Sequence, residues 1–372
     1  YEKSSKLLSK VKVSGGGRCN VTNGTTAISE LWKAYPRGGR QLKKLFPIFS
    51  TEHCYRWFEK RGVPLMVQED NCVFPVSQSS QSVIDCFFRE CKKYNIDIQT
   101  KKWVVDIYPG DNRLKLNFKD KDHGFFDKVI VATGGSPKRT GLEWLERMGH
   151  QIEDPVPSLF TFNMPNEDIK KLMGLVVENA MTSIQGTNLK SDGPLLITHW
   201  GMSGPAILKL SAFGARILAA RDYEFNTQVN WLNEANHEKV KQELQDIIKE
   251  NGGKHLTNYR PYGLPERLWR FLLAKAELPL NKKWMELGKK GLNKLIVVLT
   301  NDIYKVKGKT TFKEEFVTCG GVSLKSINMK TMESKVVKNL YFAGEVMDID
   351  AITGGYNFQA AWTTAYIAGM LK

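Results

Sequence analysis

Three glycine-bearing turns carry the residue types best suited to chemistry in this chain: SGGGRCN (residues 14–20), VATGGSP (131–137) and FAGEVMDIDAITGGYN (342–357). Glycine removes the Cβ that would hold backbone away from a phosphate or a flat ring, and it permits φ > 0. The second and third turns follow short apolar runs, KVIV and NLYF, that read as buried strands. In open α/β sheets, ligands sit beyond the C-terminal ends of such strands. Gly354 and Gly355 then open a helix of small residues (Ala360, Ala361, Ala365, Ala368), so free N–H groups and the positive end of the helix dipole face the ligand. One glycine turn is usually only a turn. Three, two of them after buried strands, point to a dinucleotide.

Titratable candidates are fewer. His199, in THWGMSGP, is the best placed by type, because imidazole can hand over a proton at neutral pH; a lone histidine is also commonly a structural hydrogen-bonding residue. Ser203 and Tyr356 are weaker alternatives for the same role. Cys19 is a candidate redox thiol, yet no second cysteine lies near it in sequence, which favours packing or contact with a ligand. Asp348 and Asp350 read equally as site acids or as loop caps. GMSGP lacks the second glycine spacing of a nucleophile elbow. The six cysteines and six histidines show no metal-ligand spacing, so no metal is expected. Scattered, unpaired cysteines fit a reducing cytoplasm.

The elements that must position these turns are legible in outline. Residues 78–94 carry apolar positions at helical period. WVVDIY and LKLNF, joined by PGDN, read as an antiparallel hairpin. Residues 156–228 show short apolar segments between turn signals and read as β-rich. HEKVKQELQDIIKENGG has apolar positions at 240, 244, 247 and 248 and stops at a glycine pair, while LPERLWRFLLAKA opens on Pro265; residues 236–300 therefore read as helical. The fold class is α/β: a Rossmann-like nucleotide-binding domain built from both chain ends (1–155 and 316–372), a β-rich insert (156–235 and 301–315) and a helical subdomain (236–300).

A chain of 372 residues suffices for two or three domains. No apolar run reaches the roughly 18 residues that would span a bilayer, and YEKSSKLLSK carries no secretory signal. Lysine and arginine number 54 against 39 acids, a net charge of +15. The excess gathers at Arg37, Arg40, Lys43 and Lys44; at Lys282, Lys283, Lys289, Lys290 and Lys294; and at Lys305, Lys307, Lys309 and Lys313. Aromatics lace the basic stretch NYRPYGLPERLWRF (258–271). Such clusters read either as a polyanion-binding surface or as a solvated basic face.

The motifs KVKVSGGGRCNVTN, VIVATGG, THWGMSGPAIL and LYFAGEVMDIDAITGGYNFQAAW, in this order, resemble those of the BaiN-like (YhiN-like) NAD(P)/FAD-dependent oxidoreductases. The resemblance covers nearly the whole chain and is most specific in the first and last motifs. It implies a bacterial FAD domain interrupted by a β-barrel-like insert and a helical subdomain. The family's opening strand, GxGxxG turn and helix are absent here, which implies an N-terminally incomplete chain whose Glu2 is the acid on the adenosine ribose. It also implies that Lys3, Ser14, Gly15, Gly16, Gly17, Arg18, Cys19 and Asn20 lie along FAD. The same holds for Val104 or Val105 at adenine, for Ala132, Thr133 and Gly134, for Gly344 and for Glu345 at the ribitol or phosphate edge, and for Gly354, Gly355, Tyr356, Asn357 and Phe358.

Within the family, flavin reduced by NAD(P)H passes hydride to a carbon–carbon double bond. The implied substrates are uridine in large-subunit ribosomal RNA, which the +15 charge favours, or a steroid-like enone. His199 would then be the proton donor. A flavin-binding RNA-associated protein without turnover is the alternative from another class. No separate nicotinamide-binding GxGxxG separates NADH from NADPH, and the oligomeric state is open.

Overall fold

The computed structural model describes residues 1–110, 112–311 and 317–371; Lys313 of the third basic cluster falls outside them. The chain divides into two compact units, Tyr1–Leu159 with Phe312–Lys372, and Phe160–Thr311.

In the first unit, strands Val129–Val131 and Leu340–Phe342 pair in parallel, Leu340 opposite Val129 and Phe342 opposite Val131. Leu340, Tyr341 and Phe342 are all buried, as an uninterrupted apolar strand requires. Antiparallel strands Glu333–Ser334 and Ile327–Asn328 extend this sheet. The C-terminal helix Tyr356–Ala368 packs against it, and the Thr364 hydroxyl accepts from the Gly344 N–H at 3.0 Å. The chain therefore leaves both parallel strands on one side, through residues 132–135 and 343–345.

Three further pieces complete this unit. Thr22–Asn23, Cys72–Pro75 and Leu65–Val67 form a small sheet beside helix Ser80–Lys93, which Ser79 caps. Ile152–Pro157 pairs with Thr318–Val322. Val104–Pro109, Leu114–Phe118 and His123–Phe126 form a three-stranded antiparallel sheet. Its inner face carries Ile107, Leu114, Leu116 and Phe118, each nearly solvent-free, in the alternation of a one-sided sheet.

The second unit is a seven-stranded sheet in the order Asp302–Lys307, Glu224–Asn230, Val176–Ile184, Lys190–Ile197, Gly201–Ser203, Thr161–Asn163, Lys309–Thr310. Its first and last strands are consecutive in the chain. Gly308 joins them at φ +92°, donating to the Tyr223 carbonyl and accepting from the Asn163 N–H, so the sheet curls back on itself. Helices His237–Asn251, Glu266–Lys275 and Gly288–Thr300 share its core.

Helix Pro205–Ala219 falls where the sequence reads only as β-rich. Eight of its residues are buried, among them Ile207, Leu210, Ser211, Ala215 and Leu218, so it lacks the polar stripe that exposes a helical period. The clearer local signal was Gly204 followed by Pro205 at the first helical position. A buried polar cluster fastens helix Glu266–Lys275 to strand Asp302–Lys307. There the Asp302 carboxylate meets the Lys275 ammonium at 2.5 Å and accepts from Trp231 Nε1 at 2.9 Å and from the Tyr304 hydroxyl.

Candidate functional site

The N-terminal glycine loop and the C-terminal glycine pair meet in the first unit. Gly15, Gly16 and Gly17 take φ of +57°, +67° and +85°, three successive left-handed residues that a side chain would strain. A Cβ on Gly15 would come within 2.8 Å of the Phe74 ring, whereas one on Gly16 would meet nothing within 4 Å. The loop is thus packed on one side and open on the other. Gly355, at φ +86°, lies so close to the following segment that its Cβ would stand 2.2 Å from the Thr22 carbonyl oxygen. Asn23 Nδ2 donates to the Gly354 carbonyl at 2.8 Å, the Thr22 hydroxyl to Gln359 Oε1 at 2.6 Å, and Trp362 Nε1 to the Val21 carbonyl at 2.9 Å.

The third turn joins through an acid. Glu345 accepts the Thr318 N–H at 2.9 Å on one oxygen and pairs with Lys10 at 2.6 Å on the other. A Cβ on Gly135 would lie 2.5 Å from both Glu345 Oε1 and Thr318 Oγ1, so only glycine fits there. Gly134 beside it is at φ +75°, with nothing within 4 Å of its would-be Cβ. The Thr318 hydroxyl is buried and has no hydrogen-bond partner among the described residues. Lys10, Gly135 and Thr318 were not singled out from sequence. Gly135 had a visible signal as the second glycine of VATGGSP; the other two act through contacts more than 300 and 25 residues away along the chain, respectively.

The remaining candidates separate into groups. Glu2 donates its N–H to the Gln99 carbonyl and accepts from Lys102, which sets it beside the strand that begins at Val104; its carboxylate accepts the Ser4 N–H at 2.7 Å. Lys3 lies over the Trp103 ring. Val104 and Val105 are half-buried, and Ala132 and Thr133 are exposed just past the parallel strand. Arg18 lies 4.0 Å over the Phe74 ring and donates to Gln78 Oε1 at 3.3 Å, and Asn20 Oδ1 accepts the Val73 N–H. Ser14 donates to the Val11 carbonyl. Asn357 ties down the preceding loop through both the N–H and the carbonyl of Ala351, and Phe358 stacks on Trp362.

Several sequence expectations change. Cys19 is fully buried at φ +65°, and burial pushes its thiol up to about 11, which favours the packing reading over that of a redox thiol. Asp350 is a loop anchor: its buried carboxylate is held by Arg37 (Nε to Oδ1, 2.5 Å) and by the Ser158 hydroxyl. That pairing removes Arg37 from the first basic cluster, and Lys294 pairs with Glu277. In the stretch 258–271, Trp269 points inward, stacks on Trp284 and donates to the Leu256 carbonyl at 2.7 Å. Ser203 is buried, accepting from the Thr161 hydroxyl.

His199 belongs to the second unit, exposed in the turn between strands Lys190–Ile197 and Gly201–Ser203, with its ring against Trp200. Among the described residues, no group of three or more His, Cys, Asp or Glu is placed to hold a metal ion, and no helix is long and apolar enough to cross a membrane.

An open, glycine-lined backbone at the ends of parallel strands, a helix N-terminus whose cap residue is glycine, and a buried hydroxyl with no partner among the described residues suit a ligand with phosphates and a flat ring. The family description "HI0933-like protein Rossmann domain" matches residues 1–371. The chain is 28% identical over 375 residues to the ribosomal RNA dihydrouridine synthase of Escherichia coli (strain K12), covering 96% of this chain and 87% of that protein. It is 25% identical over 382 residues to the 3-dehydro-bile acid delta(4,6)-reductase of Clostridium scindens, covering 99% and 90%. Among solved structures, the open conformation of a flavocytochrome c3 fumarate reductase aligns with a TM-score of 0.41 at 15% identity, over 100% of this chain and 69% of that one.

Proposed function

The chain belongs to the HI0933-like Rossmann family, and from that premise we propose that it is an FAD-dependent oxidoreductase that uses NAD(P)H to reduce uridine to dihydrouridine in large-subunit ribosomal RNA. The observation that carries the flavin reading is the meeting of the two chain ends: Gly355 against Thr22, with Gly354 tied to Asn23. Gly16 and Gly134, with open space where a Cβ would stand, would let the cofactor approach the protein backbone. Glu345 would take ribityl hydroxyls in exchange for Lys10, and the Gly355 helix terminus would face the ring. When bound, FAD supplies hydride transfer. The protein's part is to orient the ring and to place negative charge next to helix N–H groups. His199 is the proposed proton donor to the reduced carbon.

The choice of RNA rests on the net charge of +15 and on the name of the Escherichia coli relative. A ribosomal substrate places the protein in the cytoplasm. The bile-acid reductase relative supports a second reading, reduction of a small enone with the basic surface incidental. The experiment is to record the visible spectrum of the purified protein with FAD and to measure dihydrouridine in ribosomal RNA from a strain lacking the gene. A flavin spectrum together with loss of one dihydrouridine, restored by the gene, is expected. Flavin binding with an unchanged dihydrouridine content and turnover of an enone selects the second reading; a protein that never takes up FAD ends both.

A further inference from the structure

We propose that the solvent face of the sheet Val104–Pro109, Leu114–Phe118, His123–Phe126 is a docking platform for unpaired RNA bases, separate from the glycine-lined crevice. The inference rests on the ribosomal-RNA reading above and names where that RNA is gripped.

Alternation puts Tyr108, Lys115 and Phe125 on the outer face, and the register sets them in one row: Tyr108 opposite Lys115, and Lys115 opposite Phe125. Tyr108 is 52% exposed and Phe125 55%, so two large rings stand in water on either side of one cation. Strand spacing puts those rings on the order of 10 Å apart, enough for each to meet a different base. The next row holds Asp106, paired with Arg147 at 2.6 Å, then Asn117 and His123, whose imidazole meets the Phe125 ring edge-on at 5.7 Å.

A groove of about 510 Å³ runs along this face, lined by Tyr108, Pro109, Asn112, Arg113, Lys115 and Phe125. The described residues that line it include two cations, Arg113 and Lys115. Arg113 does pair with Asp127 at 2.9 Å, but both are well exposed, and such a pair yields readily to a phosphate.

Aromatic rings on a sheet surface stack on bases, and interleaved cations hold the intervening phosphates. An A-form duplex keeps its bases inside, so the platform selects single strands. The Lys115 ammonium lies 5.9 Å over the Phe125 ring, and the opposite face of the same strands supplies the core contacts, so both rings keep exposed surface that a base could cover.

The test is fluorescence anisotropy with a labelled single-stranded oligouridylate and a duplex RNA of equal length, on the parent protein and on Tyr108→Ala, Phe125→Ala, the double variant, Tyr108→Trp, Tyr108→Leu and Lys115→Gln. Each alanine should weaken single-strand binding by about 5- to 150-fold, with Tyr108→Trp near the parent and duplex binding little changed. Lys115→Gln should lower the salt slope by about 1. Thermal melts should match the parent, because the rings are exposed. Unchanged affinity in the double variant overturns the proposal. So does Tyr108→Leu binding as well as the parent, which would show that no base stacks on the ring.

Dihydrouridine formation, measured in parallel, separates the two ideas. Normal activity with unchanged affinity in the double variant sinks only the platform. Absent activity with the affinity loss intact keeps the platform and sinks the reaction.

Discussion

Gly355 is the residue at which sequence chemistry and structure coincide most closely. Its φ of +86° and its approach to the Thr22 carbonyl leave no room for a side chain, whereas Gly16 shares the left-handed backbone with open space around it. The two glycines therefore separate strain from clash. Gly16→Ala is expected to cost about 1–2 kcal/mol from backbone strain alone. Gly355→Ala should cost roughly 3 kcal/mol or more, because the chain must also move away from Thr22. Chemical denaturation of both variants checks the ordering; equal losses would mean that the crevice wall yields freely at Thr22. The glycines announced themselves in the sequence because local backbone demands are written locally. Arg37 and Asp350 did not, since a buried ion pair between residues 313 apart leaves no mark on either neighbourhood; Arg37 counted as surface charge for that reason.

At the scale of elements, the helix Tyr356–Ala368 is fixed by polar contacts as much as by apolar ones. Gln359 is fully buried and accepts the Thr22 hydroxyl, while its amide reaches the Phe49 carbonyl, which Thr363 also supplies. Gln359→Leu strands the Thr22 hydroxyl and should cost about 1–3 kcal/mol. Replacing both partners, with Thr22→Val added, should recover part of that loss, and a double-mutant cycle in urea measures the coupling. Zero coupling would show that this contact does not hold the helix.

Strands bounded by glycine and helices with a polar stripe could be read ahead of the structure. Helix Pro205–Ala219 could not, because its solvent side carries Phe213 and Ile217 and so leaves no polar stripe to mark its period. The row of Tyr108, Lys115 and Phe125 was equally hidden: the hairpin legible in sequence holds Tyr108 and Lys115, but the strand of Phe125 gave no signal, and only the pairing register sets the three side by side.

For the whole molecule, the charge excess is the property with the clearest measurable outcome. If about four phosphates are neutralised on binding, affinity for ribosomal RNA should fall roughly a hundredfold between 50 and 200 mM salt. A titration series at four salt concentrations gives the slope. A flat response would leave the +15 charge without a polyanionic partner. Trp269 of the stretch 258–271 does not supply such stacking, since it is spent on the core of the second unit.

The parallel pair of Val129–Val131 with Leu340–Phe342 has a consequence for how the protein is made. Residues 160–311 form a contiguous unit and have every partner they need as soon as they leave the ribosome. The first unit must wait, its strand at 129–131 not meeting Leu340–Phe342 until some two hundred more residues have been synthesised. During that interval an apolar edge lies open to wrong neighbours, and closing so long a loop is slow. Early rescue of nascent chains by chaperones, and sensitivity to lesions in the last thirty residues, follow from that order of events.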